Sequence, residues 1–90
     1  VPTKLDPQVR QLARQIGEEI RTAREAAGLS QQALAESVGM SRTNFARIEY
    51  GMTNVTIETL LRISRGLELR LLVSLGPEPS RSAGRSRRRA

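Results

Sequence analysis

Residues 28–51 read GLSQQALAESVGMSRTNFARIEYG, and three glycines divide them into two short helical segments. Ser30 stands where a side-chain oxygen caps a helix start. Behind it, residues 31–38 place Ala33, Leu34 and Val38 inward over two turns. Gly39 stops that segment, and Met40 is an apolar bridge to the next. Ser41 caps a second segment, from 42 to about 50, whose Phe45 and Ile48 fall on one face. Gly51 ends it.

The pattern continues on both sides. Asp6-Pro7 is a capping side chain followed by proline at the first helical position. After it, Val9, Leu12, Ala13, Ile16, Ile20, Ala23 and Ala27 recur at steps of three and four, the stripe of an amphipathic helix over about 7–27. Gly17 falls inside it, where glycine costs about 1 kcal/mol. On the C-terminal side, 52–55 is a loop and Thr56 caps a fourth helix. Ile57, Leu60, Leu61 and Ile63 form its expected buried side, and Gly66 its expected end.

LELRLLVSL, residues 67–75, alternates instead. Leu67, Leu69, Leu71, Val73 and Leu75 occupy every second position, which predicts a half-buried strand. Leu67, Leu71 and Leu75 also fit a short fifth helix, the competing reading. No second strand segment exists in the chain, and an unpaired backbone buried from water is costly. A two-fold copy would supply an antiparallel partner, so the expectation is a homodimer joined by these five residues.

Composition bounds the rest. Ninety residues with 38% apolar side chains allow one small domain, and a chain of this size buries only about 60% of its surface alone. There is no cysteine and no histidine, which removes disulfides, thiolate chemistry, the commonest general base and the commonest transition-metal ligand. No glycine-rich phosphate loop is present, and Glu18, Glu19 and Glu25 share a helical face with arginines. The expectation is therefore no catalytic residue, no metal site, no cofactor and no enzyme. No apolar run approaches the roughly 20 residues of a membrane span, and no leader pattern is visible, so the expected compartment is cytoplasmic.

The net charge of +6 is unevenly placed. Residues 80–90 hold five arginines and no acid. With nothing to bury, 77–90 reads as a disordered basic tail after a domain over 1–76. Phosphate neutralisation and simple solubility are both open roles for it.

Two short helices about Gly39, with Ala35 early in the first, form a helix-turn-helix pattern. Residues 16–67 resemble the Xre or Cro/C1 type, a lambda-repressor-like helix-turn-helix fold. The resemblance is carried by GLSQQALAESVGMSR, ARIEYG and TIETLLRIS in that order. The fold class expected is thus all-α, four helices plus a C-terminal strand pairing across a dimer. That strand is similar to the layout of HipB-type antitoxin repressors, which would add a cognate toxin as partner. RTNFARIEYGMTNVTIETL is similar instead to restriction–modification controller proteins, which normally end in a fifth helix.

The resemblance implies a sequence-specific DNA-binding regulator, a dimeric autorepressor of antitoxin, plasmid or phage type, on an inverted-repeat duplex. By position, Arg42, Thr43, Asn44 and Arg47 on the third helix would read bases. Ser30, Gln31, Thr53, Asn54 and Thr56 would hold phosphates, with Gln31 also bracing the reading helix. Plain helix capping is the alternative for Ser30 and Thr56. Arg24 and Glu49 match a buried ion pair between the first and third helices.

Overall fold

The computed structural model describes residues 5–78. Four helices follow one another: α1 (Pro7–Ala26), α2 (Gln31–Ser37), α3 (Arg42–Glu49) and α4 (Ile57–Gly66). Each starts where a short polar side chain accepts from the helix's own free amides. Asp6 takes the Gln8 N–H at 2.7 Å, Ser30 the Ala33 N–H at 3.0 Å, Ser41 the Asn44 N–H at 3.0 Å and Thr56 the Thr59 N–H at 3.1 Å. Each such cap is worth about 1 kcal/mol.

The core lies where α2 and α3 meet. Phe45, Leu34 and Ile63 are fully buried, joined by Ile20, Ala35, Val38 and Ile48. Ile16, Leu29, Met40, Val55, Leu60 and Leu67 close its edges. α1 packs on α3, while α2 packs on both α3 and α4. Gly39 takes φ +75° between α2 and α3, a left-handed turn that an L side chain resists. That turn fixes the angle at which α3 leaves α2.

Several expected burials are corrected. Ala33 is exposed and Ala35 is the buried alanine of α2. On α1, Leu12 is 58% exposed and Ala27 lies outside the core, while Gly17 and Arg24 occupy the buried stripe. The stripe turns with the helix toward α3, so glycine and arginine sit where aliphatic residues were expected. A Cβ at Gly17 would lie 2.5 Å from the Ile48 carbonyl oxygen and closer still to that of Glu49. Its small size permits the approach of α1 to α3. On α4, Ile57 and Leu61 are exposed because that helix meets α2 through its opposite side.

The C-terminal segment differs most from expectation. Gly66 is the last residue of α4 rather than its terminator. A Cβ there would come within 2.9 Å of Val38 Cγ1 and 3.1 Å of Leu34 Cδ1, so glycine lets α4 close on α2. Glu68 instead takes the left-handed turn, at φ +60°, and the Leu69 N–H donates to the Ser64 carbonyl at 2.8 Å. Leu67 is the C-cap of α4 and packs on the core. Residues 69–78 form neither strand nor fifth helix. The expected cross-dimer strand is therefore not found among the described residues, where no second segment offers a ladder to this one. Leu71 is half-buried, whereas Leu69, Leu72, Val73 and Leu75 are exposed, Leu75 almost completely. The basic segment expected over 77–90 lies outside the described residues from position 79 onward.

Candidate nucleic-acid interface

α3 divides its residues cleanly. Phe45, Ile48 and Glu49 face the core. Arg42, Thr43, Asn44 and Arg47 are all exposed, so the four expected base readers share the outward arc of one eight-residue helix. Thr43 and Arg47 are one turn apart at i,i+4 and project together. Arg42 lies nearer the edge of the arc, beside Ala46.

Asn44 and Arg47 also line an open groove of about 440 Å³, with Met40 and Ile48 at its base. Its far wall is the loop and the start of α4: Thr53, Asn54, Val55, Thr56 and Thr59. Three of the expected phosphate contacts thus face two of the expected base contacts across one concavity. The groove is polar because the loop between α3 and α4 supplies short side chains with hydroxyl or amide groups. Thr59 was not singled out in the sequence. The Thr56 hydroxyl accepts the Thr59 amide and donates to Thr59 Oγ1 at 3.0 Å, which leaves the Thr59 hydroxyl proton to donate outward. The T-x-x-T spacing at the head of α4 is the signal that marks it.

Ser30 is exposed at the start of α2 and serves as its cap. Gln31 is half-buried and turns the other way. Its Nε2 donates to Glu49 Oε1 at 2.9 Å, which ties the start of α2 to the end of α3.

Glu49 is the hub of this junction. Arg24 donates through Nε to Glu49 Oε2 at 2.6 Å and through Nη2 to Oε1 at 3.2 Å, a two-pronged pair. Arg24 Nη1 donates to the Leu29 carbonyl at 2.8 Å, at the bend after α1. Both side chains are buried. The hydrogen bond to Glu49 pushes the Arg24 pKa above its ordinary value and outweighs burial, which acts in the opposite direction. The fields of Glu49, Glu25 and Tyr50 add to the rise. The pair joins α1, the α1–α2 bend, α2 and α3, and so sets how α3 is presented.

No group of acidic side chains suited to a metal ion occurs among the described residues. No helix among them is long and apolar enough to cross a membrane. A second shallow concavity, along Gln15, Glu18, Glu19 and Ala26, belongs to one face of α1 and carries acids, away from α3.

Residues 15–71 match the protein family described as the helix-turn-helix domain, a span of more than half the chain. The chain belongs to the helix-turn-helix domain family. Within that family it is Xre/Cro-like. Among solved structures it is similar to the restriction–modification controller protein C.AhdI from Aeromonas hydrophila, with 31% identity and a TM-score of 0.63 over 64% of this chain and 88% of that one. It is similar to the clp gene regulator ClgR from C. glutamicum, at 25% identity and TM-score 0.63 over 77% of this chain and 81% of the other. It also resembles an HTH_3 family transcriptional regulator from Vibrio cholerae, at 34% identity and TM-score 0.65, covering 69% of this chain but only 35% of that longer one. No curated protein matches its sequence. A helix-turn-helix chain with these neighbours is a DNA-binding transcriptional regulator.

Proposed function

We propose that this helix-turn-helix chain acts as a non-enzymatic, dimeric regulator that recognises an inverted repeat, with α3 lying in the major groove. The observation that carries this reading is the outward arc of Arg42, Thr43, Asn44 and Arg47, two of which share a polar groove with Thr53, Asn54 and Thr56. Arginine can bind guanine O6 and N7 through two N–H groups, and the Thr43 methyl suits thymine. Thr53, Asn54, Thr56 and Thr59 would hold the adjoining phosphates, which set register without reading sequence. Gln31 acts by bracing Glu49, and Ser30 contributes its cap and the free amides behind it.

What is left uncovered supports dimerisation. Leu69, Leu72, Val73 and Leu75 are exposed beyond α4, and Ile57 and Leu61 are exposed on it. A second copy is the occupant proposed for these side chains, with the half-buried Leu71 at the margin. Leu67 is excluded because it already packs on the core. The two α3 helices would then stand about 34 Å apart.

A controller role is favoured by the similarity to C.AhdI at 31% identity. The antitoxin reading and its toxin partner rest on a strand over 67–75, and the described chain forms none. Selection of bound duplexes from a random library tests the proposal. Two related half-sites about 10 bp apart are expected. A pool with no enriched sequence would overturn it.

A further inference from the structure

The folded part of the chain is electrically neutral. Residues 5–78 hold nine arginines and nine carboxylates. The whole net charge of +6 comes from Lys4 and from Arg81, Arg85, Arg87, Arg88 and Arg89. Inside the fold several arginines are already engaged. Arg24 is taken by Glu49, Arg21 lies 3.3 Å from Glu25, and Arg62 lies 4.0 Å from Glu58. A neutral domain has no net long-range pull on a polyanion.

We propose that the five arginines of 81–89 form a second DNA-binding element, which takes the phosphate backbone of duplex DNA without regard to sequence. This inference rests on the duplex-binding reading above and divides its labour: α3 chooses the sequence, and 81–89 supplies most of the salt-dependent attraction. Guanidinium groups suit the role because each offers a planar pair of donors to phosphate oxygens. Residues 80–90 contain no aliphatic side chain larger than alanine and no aromatic one. That composition leaves no apolar group to insert beneath lipid headgroups and no aromatic ring on which unpaired bases would stack. Duplex phosphate is the polyanion it fits.

The experiment compares the full chain with a variant carrying glutamine at all five arginines and a variant carrying lysine at all five. Each is titrated by fluorescence anisotropy against a scrambled duplex of about 30 bp and against the library-selected duplex, between about 50 and 200 mM salt. Helix content by circular dichroism is expected to be equal in all three, since the changes lie beyond α4. The glutamine variant is expected to lose affinity for both duplexes by the same factor. Its plot of log affinity against log salt is expected to flatten by up to about 4.5 per chain, at about 0.9 for each charge removed. The lysine variant is expected to keep a slope like that of the parent. An unchanged slope in the glutamine variant would overturn the proposal, as would a lysine variant that behaves like glutamine. Sedimentation with phosphatidylserine vesicles adds the competing surface: arginine-dependent binding there with unaltered DNA binding would also overturn it. Loss of sequence preference by the parent itself would instead count against the α3 reading, and the slopes would still decide the role of 81–89.

Discussion

Gly17 of α1 meets the backbone of Glu49 at the end of α3 with no room between them for a methyl group. The contact is backbone to backbone, so neither side can swing away. The same Glu49 carries the carboxylate that holds Arg24 and Gln31. One residue therefore fixes both how near α1 lies to α3 and which way α3 is turned.

Gly17→Ala should destabilise the fold by about 1–3 kcal/mol, the usual cost of overpacking. On propensity alone the change would stabilise an exposed helix by about 1 kcal/mol. The two effects oppose each other, and the contact is expected to win. Urea unfolding gives the sign directly: a higher midpoint would mean that α1 and α3 can separate freely.

Breaking the buried pair from one side should cost far more than removing it whole. Glu49→Ala leaves the Arg24 charge buried without its partner and is expected to cost about 3–5 kcal/mol. A joint Arg24→Met, Glu49→Leu change replaces charge with apolar volume and should recover most of that loss. A double-mutant cycle in denaturant measures it. Simple additivity of the two single changes would contradict the coupling.

Glu68 bears the left-handed turn at the end of α4. That conformation costs a non-glycine residue roughly 1–2 kcal/mol. Glu68→Gly is accordingly expected to raise stability by about 1 kcal/mol, visible as a higher thermal midpoint. A lower midpoint would assign Glu68 a stabilising contact that outweighs its backbone strain.

Thr59→Val keeps the shape of the groove wall and removes its outward hydroxyl. DNA affinity should fall by about 0.5–1.5 kcal/mol, equally on selected and scrambled duplexes. A changed preference would make Thr59 a reader of bases.

The parts of this molecule that were legible in the sequence are those governed by local chemistry. Asp6, Ser30, Ser41 and Thr56 mark helix starts because their oxygens satisfy amides two or three residues away. Phe45 and Ile48 show the inner face of α3 through their spacing, and the exposed arc follows by subtraction. Arg24 carries a local signal too, since it lies one turn from Ile20 on the buried stripe. Pairing it with Glu49 came only through resemblance, for nothing local joins positions so far apart. In the sequence Gly17 reads as a weak point and Gly66 as a stop. Their use is to admit another helix, and a neighbour's approach leaves no trace in flanking residues. Alternation over 67–75 sorts side chains onto two faces, yet it does not say what completes a ladder. Ile57 and Leu61 look buried by period for the same reason.

The reading of α3 is tested most directly by substituting alanine for Arg42 and Arg47 together and measuring affinity for the library-selected duplex against its scrambled counterpart. Each arginine–guanine pair contributes roughly 1–3 kcal/mol of discrimination. The ratio of the two affinities is expected to drop at least about tenfold, with the scrambled duplex bound little less tightly than by the parent. An equal fall on both duplexes, with the ratio intact, would show that these arginines hold phosphate and that α3 does not select the sequence.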